Sequence, residues 1–248
     1  MEENQDLVEG RNSVIELLKS GKDINKLYIQ KGERHGSITE ILKLAKQNKV
    51  IIQEVDKVKL DKMSETHNHQ GVIAVVPPYE YCDVDDILEY AESKKEDPII
   101  FILDGIEDPH NLGSIIRTAE CSGVHGIIIP KRRSASVNST VNKTSAGAVQ
   151  YMRIARVNNL NETINYLKER NIWVYGTDMD GKSFYDEQNY SGGVGVVIGS
   201  EGFGMSRLVK ENCDFLIKIP MTGHINSLNA SVSAGIVMYE IMKQRRNA

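Results

Sequence analysis

Five short, nearly uninterrupted apolar runs dominate the second half of this 248-residue chain: Ile99–Leu103 (IIFIL), Gly126–Ile129 (GIII), Ile172–Tyr175 (IWVY), Val194–Ile198 (VGVVI) and Phe215–Ile219 (FLIKI). Runs of this length are too short for core helices and suit strands buried on both faces, the condition of a parallel sheet. Helical patterns fall between them, at Leu112–Ser122, Asn161–Arg170 and Asn226–Arg246. Alternation of β and α predicts an α/β fold with an open, mostly parallel sheet and flanking helices.

The first 77 residues repeat this alternation on a smaller scale. Arg11–Lys19 reads as a helix, with Val14, Leu17 and Leu18 on one face. Ser37–Gln47 reads as another, with Ile38, Ile41, Leu42 and Ala45 at i, i+3, i+4 and i+7 and Ser37 as its N-cap. Lys26–Gln30, Val50–Glu54 and Gly71–Val76 read as strands. A layer of this size can fold alone. Between the halves, residues 78–97 hold 2 Lys+Arg against 8 Asp+Glu, net −6, whereas residues 1–77 are neutral and 98–248 carry +2. This acidic stretch begins beside Pro77-Pro78, can form a short helix at Val84–Ala91, and reads as a linker. The expected division is a domain at 1–77, an acidic linker at 78–97 and a second domain at 98–248.

No apolar run approaches the ~20 residues of a membrane span. The first residues, MEENQDLVEGRN, lack the charge pattern of a secretory signal. Cys82, Cys121 and Cys213 are odd in number and widely spaced, against a disulfide framework or a cysteine-ligated zinc. A reducing, cytoplasmic setting is expected. His67-Asn68-His69 alternates histidines without a third ligand nearby, so no metal site is assigned. A slightly acidic chain can still bind nucleic acid through local basic patches.

One motif is a decoy. Gly176-TDMD-Gly181-Lys182-Ser183 matches the phosphate-loop pattern and follows a strand, and Ile99–Asp104 resembles the acidic strand end such proteins use for magnesium. Only nine residues, Phe184–Gly192, separate Ser183 from the next strand, too few for the required helix, and Asp178 and Asp180 would repel phosphates. A surface turn explains the segment better than nucleotide triphosphate binding.

Three other segments sit at strand C-termini, where open α/β sheets bind ligands. The first, Asp104-GIEDPHNLGSIIRTAE, carries Asn111 and, two turns into a helix, Arg117. An N-cap role would explain Asn111 alone but not the whole DPxNxGxxxRTA string. The second, Ile198-GSEGFG-Met205, surrounds Glu201 with glycines that let backbone approach a ligand closely. The third, Ile219-PMTGHINSLNASVSAG, runs from a strand into a small-residue helix and carries Ser227, itself a possible N-cap, and Asn229.

In order and spacing these segments resemble the three signature motifs of the SpoU/TrmH family of RNA ribose 2′-O-methyltransferases, and the resemblance covers residues 98–248. The first 77 residues are similar to the small L30e-like substrate-binding domain of many members. The whole looks most like members that methylate a guanosine ribose in 23S rRNA. The resemblance implies a C-terminal trefoil knot, S-adenosyl-L-methionine as methyl donor, and a catalytic set of Arg117, Asn111, Glu201, Ser227 and Asn229. Arg117 would either accept the hydroxyl proton with help from an RNA phosphate or stabilise the developing alkoxide as a cation, and the other four would orient Arg117, the ribose hydroxyl and a phosphate. It further implies cofactor contacts at Thr177, Gly199, Ser200, Gly202, Ile219, Met221 and Leu228, with the decoy turn at the pocket's edge. His110 and His224 adjoin motif residues, but the family assigns neither a role. RNA contacts are expected at Lys131, Arg132 and Arg133, after the second strong strand, and at Arg11, with Lys143, Arg153 and Arg156 further along. A homodimer through the first-motif helix and the C-terminal helix (Val232, Ile236, Val237, Tyr239, Ile241) is likewise implied. A tRNA-modifying enzyme of the same chemistry is the nearest alternative. A non-catalytic RNA-binding or ribosome-assembly protein is the alternative of another class, against which the complete motif set argues.

Overall fold

The computed structural model of the chain describes residues 6–32, 34–225 and 227–247. The N-terminal elements are β1 (Asp6–Glu9), α1 (Arg11–Ser20), β2 (Lys26–Gln30), α2 (Ser37–Gln47), β3 (Ile52–Val55), α3 (Lys57–Met63) and β4 (Val72–Val76). They are followed by α4 (Val84–Lys94), β5 (Ile99–Asp104), α5 (Pro109–Cys121), β6 (Gly126–Pro130), α6 (Ser139–Thr144), β7 (Ile154–Val157) and α7 (Leu160–Lys168). The chain continues through β8 (Ile172–Thr177), β9 (Ser183–Phe184), β10 (Gly193–Gly199), α8 (Arg207–Asn212), β11 (Phe215–Lys218) and α9 (Ala230–Arg246).

Two compact units result, one within residues 1–80 and 136–151, the other formed by 81–135 and 152–248. These units differ from the expected division at two places. Residues 136–151, counted above with the C-terminal domain, cluster with the N-terminal unit. The acidic stretch is not a free linker either. The α4 residues Ile87 and Ala91 are buried in the second unit, where Ile87 joins the main core cluster, and Cys82 bridges to Ala155 in β7. His125 anchors the end of this stretch. Its Nδ1 accepts from the Ile99 amide at 2.9 Å and its Nε2 faces Glu96 Oε2 at 3.0 Å. Burial, against the pull of Glu96, holds this imidazole below the usual histidine range.

The first unit holds a four-stranded sheet of order β1-β4-β2-β3, with β2–β3 parallel and the other pairs antiparallel. The α1 and α2 faces read from the sequence supply its core: Val14, Leu17 and Leu18 pack with Ile38, Ile41 and Ala45. Ser37 is not the N-cap of α2. Gly36 occupies that position with φ of 62°, and no side chain caps the helix. Buried Glu9 organises the loop before β4, accepting from the Ser64 hydroxyl (2.5 Å), the Thr66 hydroxyl (2.5 Å) and the Glu65 amide (2.7 Å). That loop in turn holds α6, through Ser139 on Glu65 and Lys143 Nζ on Thr66 Oγ1 at 3.1 Å.

The second unit is built on a seven-stranded sheet of order β7-β6-β5-β10-β8-β11-β9, and every pairing in it is parallel. The apolar runs form its centre, where Ile100, Phe101, Ile102, Val196 and Val197 are fully buried. In register, Gly199 lies opposite Asp104, and Ile102 opposite Ile128. The C-terminal ends of β5, β6, β8 and β10 therefore open on one edge.

Glu9 also yields a test of the first unit. Burial opposes its ionisation, yet the hydroxyl and amide donors together hold its carboxyl below the usual carboxylate range. A depressed folded pKa contributes stability above the unfolded value, lost as pH falls through the folded value. Denaturant unfolding is expected to show Glu9→Ala weakened by about 3 kcal/mol at pH 7, with the gap from wild type narrowing below about pH 4.

Candidate active site

The three motif segments meet at the C-terminal edge of the large sheet. The first begins where β5 ends. Asp108 caps α5 by accepting from the His110 amide at 2.8 Å, and Pro109 occupies the first turn, where its missing N–H costs nothing. Asn111 is therefore inside the helix and is not its cap. Its side chain points elsewhere: Nδ2 donates to Glu201 Oε1 at 2.9 Å, and Oδ1 accepts from Asn229 Nδ2 at 2.9 Å.

Asn229, and not Ser227, caps α9, with Oδ1 accepting from the Ser231 and Val232 amides at 3.0 and 3.3 Å. The expected helix start at Asn226 lies outside the described residues, and the helix itself begins at Ala230. Capping turns the Asn229 amide so that both Nδ2 hydrogens face the other motifs, one toward Asn111 and one toward Glu201. The Ala230 amide adds a donor to Glu201 Oε1 at 3.2 Å. One carboxylate oxygen thus gathers donors from Asn111, Asn229 and Ala230, and closes the ring of motifs.

The Glu201 turn is braced from behind. Ser200 and Gly204 exchange backbone hydrogen bonds of 3.0 and 2.9 Å, and Asp104 Oδ2 accepts from the Ser206 amide at 2.7 Å. Gly199 allows the returning chain to pass: a Cβ there would lie 2.3 Å from the carbonyl carbon of Gly204. Beside this turn lies a cleft of about 590 Å³, within the ~300–1,000 Å³ range of small-molecule sites. Thr177, Gly199, Ser200 and Gly202 line one side and Ile219, Met221 and Leu228 another, so every expected cofactor residue borders it, as does Ser227. The decoy turn forms its edge through Asp178, Met179 and Asp180. Only a single 3-10 turn, Tyr185–Glu187, follows Ser183, and Lys210 pairs with Asp178 at 2.8 Å and Asp180 at 3.4 Å. Asp104 and Lys210 were missed as site residues. Asp104 was visible only as a strand-end acid, and nothing in the sequence couples Lys210 to a turn some thirty positions earlier.

Other expected residues stand apart. Arg117 is exposed on α5, and among the described residues its guanidinium makes no hydrogen bond or ion pair. Six positions separate it from Asn111, about 120° around the helix, so the network does not hold it. His110 and His224 are exposed. Lys131, Arg132 and Arg133 are exposed in the loop after β6, on the same sheet edge as the cleft. Arg153 and Arg156 are instead engaged with aromatic rings, 3.4 Å over Tyr90 and 5.2 Å over Tyr81. Lys143 belongs to the first unit, as does Arg11, whose Nε donates to the Gln70 carbonyl at 2.9 Å. Of the stripe on α9, Val237 and Ile241 are fully buried in the protomer, which removes them from any interface, while Val232 and Tyr239 are about half exposed. His69 is buried, with Nε2 on Asp61 at 2.9 Å and Nδ1 accepting from the Gly71 amide at 3.0 Å.

The chain is similar to known proteins in sequence and in fold. The SpoU rRNA Methylase family matches residues 98–239, and the RNA 2′-O ribose methyltransferase substrate binding domain matches residues 7–82. A Staphylococcus saprophyticus protein assigned to the TrmH family of tRNA/rRNA methyltransferases is 51% identical over 239 residues, 96% of each chain. The SpoU methyltransferase AviRb of Streptomyces viridochromogenes, solved with the cofactor AdoMet, superposes with a TM-score of 0.82 at 25% identity, covering 98% of this chain and 92% of its own. An AdoMet-bound rRNA methyltransferase of Sinorhizobium meliloti gives a TM-score of 0.79 at 25% identity, covering 96% and 87%. The chain belongs to the SpoU/TrmH family of RNA methyltransferases.

The network makes a sharp prediction. Asn229→Asp preserves the α9 cap but replaces two N–H donors with a carboxylate beside Glu201. Denaturant unfolding at pH 7 is expected to show a loss of about 2 kcal/mol, shrinking below about pH 4 as the introduced carboxylate gains its proton. A loss of the same size at both pH values would point to a damaged cap.

Proposed function

We propose that this protein is an S-adenosylmethionine-dependent methyltransferase acting on the ribose 2′-OH of a guanosine in 23S rRNA. The observation that carries this reading is the Asn111–Glu201–Asn229 ring at the mouth of the cleft. Family membership and the AdoMet bound to two structural neighbours support the cofactor. The residues present fit it. Gly199, Gly202 and Gly204 bring nearly bare backbone to the cleft lining, Ile219, Met221 and Leu228 suit an adenine and a thioether chain, and the cleft has room for both. When bound, S-adenosylmethionine supplies a methyl group on a sulfonium, an electrophile that needs no metal for transfer.

The chain's own residues do the rest. Glu201, with its inner oxygen saturated by three donors, keeps the amides of Asn111 and Asn229 in fixed orientation at the cleft mouth. Ser227, on the cleft wall, offers a hydroxyl to the incoming sugar or phosphate. A ribose hydroxyl is a weak acid, and the reaction needs its oxygen to gain negative charge while its proton passes to water. Arginine is a permanent cation; Arg117 stabilises that charge and pairs with an RNA phosphate.

Because Arg117 and the exposed Val232 and Tyr239 occur on α5 and α9, which pack together, we assign this face to a homodimer that turns Arg117 toward a reaction centre. Lys131, Arg132 and Arg133 extend the RNA track as phosphate contacts, and the first unit, with Arg11, binds RNA by shape. The trefoil threading of the C-terminal loops belongs to the same reading. The rRNA assignment rests on the rRNA methyltransferase neighbour that spans nearly the whole chain. The tRNA/rRNA description of the 51%-identical relative keeps tRNA as the second reading.

Arg117→Ala is expected to lower methyl transfer by about 100- to 1,000-fold, the range for a transition-state electrostatic group. S-adenosylmethionine affinity by calorimetry should stay within about twofold; full turnover by the variant would remove Arg117 from the mechanism. Nucleoside mass spectrometry of separated 23S rRNA and tRNA from a deletion strain is expected to show one missing 2′-O-methylguanosine in 23S rRNA. A loss confined to tRNA would select the second reading.

A further inference from the structure

Phe203 is the most exposed large apolar side chain of the described residues, at 93% exposure, and nothing in the fold accounts for it. Burying a phenylalanine is strongly favourable, so an unpacked one on a loop tip needs another reason. The tip is not a loose loop. Gly202 and Gly204 flank Phe203 with φ of 87° and 65°, and Ser200 and Gly204 close the turn with a pair of backbone hydrogen bonds. Met205 anchors the turn's exit in the core. The ring is therefore displayed on a braced support, two residues from Glu201 and on the border of the same cleft.

Proteins that recognise RNA by sequence mostly take unstacked nucleotides from loops, bulges and ends, and a ribose held at the Asn111–Glu201–Asn229 ring would carry such a base past the neighbouring Glu201 turn. The base then needs a new surface. Single-stranded bases are commonly held by stacking on aromatic rings, without regard to sequence. We infer that Phe203 is a substrate-positioning residue whose ring stacks on an unstacked base of the target RNA, at or next to the methylated nucleotide. This rests on the methyltransferase reading above. It adds a base-holding element that is separate from the polar ring and from the cationic track.

The test compares Phe203→Ala, Phe203→Leu and Phe203→Trp with the wild type as full-length proteins. Methyl acceptance is measured on total RNA from a deletion strain, S-adenosylmethionine binding by calorimetry, and base stacking by the fluorescence of a 2-aminopurine oligoribonucleotide. Expected are a rise of about tenfold or more in KM for RNA with Phe203→Ala and Phe203→Leu, and a much smaller effect on kcat. Cofactor affinity should stay within about twofold, 2-aminopurine quenching should be lost, and Phe203→Trp should restore both KM and quenching. An unchanged KM for RNA would overturn the proposal. So would a weakened cofactor affinity with RNA binding intact, which would place the ring against the adenine instead. Wild-type protein that neither binds S-adenosylmethionine nor methylates RNA would instead defeat the underlying reading, so the two failures are distinguishable.

Discussion

The site depends on a single carboxylate oxygen. Glu201 Oε1 receives Asn111 from α5, Asn229 from the start of α9 and the Ala230 amide, and so joins three segments distant in sequence. Each partner is constrained elsewhere. Asn229 uses its carbonyl oxygen to cap a helix, which leaves its amide no choice but to donate. Asn111 is fixed by the helix that Asp108 starts. A charged acceptor with several donors is the strong form of hydrogen bonding, and here it sets the shape of the cleft mouth at an exposed rim.

Parallel strand topology makes this meeting possible. Strands β5, β8, β10 and β11 run side by side in one direction, so the loops that follow them emerge at one edge. Close packing behind the loops then determines which residues can be used. Gly199 has no room for a side chain, and Asp104 ties the returning chain back to the end of its own strand. A side chain at Gly199 would collide with the Gly204–Met205 backbone, so the turn that borders the cleft could not close as it does.

The strong strands were legible in the sequence because they are almost wholly apolar: β5, β6 and β10 are buried on both faces, while β8 and β11 keep apolar side chains even where Trp173 and Phe215 are exposed. β5, β6, β8, β10 and β11 follow the apolar runs within a residue or two at their ends. β1, α3, β7, β9, α6 and α8 were not legible. They are short, and several mix polar and apolar residues without a clean period, as in the edge strand IARV of β7. Helix caps were misread for a different reason. Several Ser, Asn and Asp side chains occur near each helix start, and only the tertiary partners decide that Asp108 and Asn229 cap while Asn111 reaches Glu201. The motif residues were recognisable by type and spacing, but their hydrogen bonds were not. The placement of residues 136–151 with the first unit was also invisible, because its anchors, Ser139 on Glu65 and Lys143 on Thr66, join positions more than seventy residues apart.

In the proposed function this cleft holds a methyl donor facing the Glu201 ring. A crystal structure of the protein grown with S-adenosylmethionine tests it most directly. The account predicts density for the donor between Thr177, Gly199 and Leu228, with its methyl group turned toward Asn111, Glu201 and Asn229. Density for the donor at any other surface, or its methyl group directed away from that ring, would contradict it.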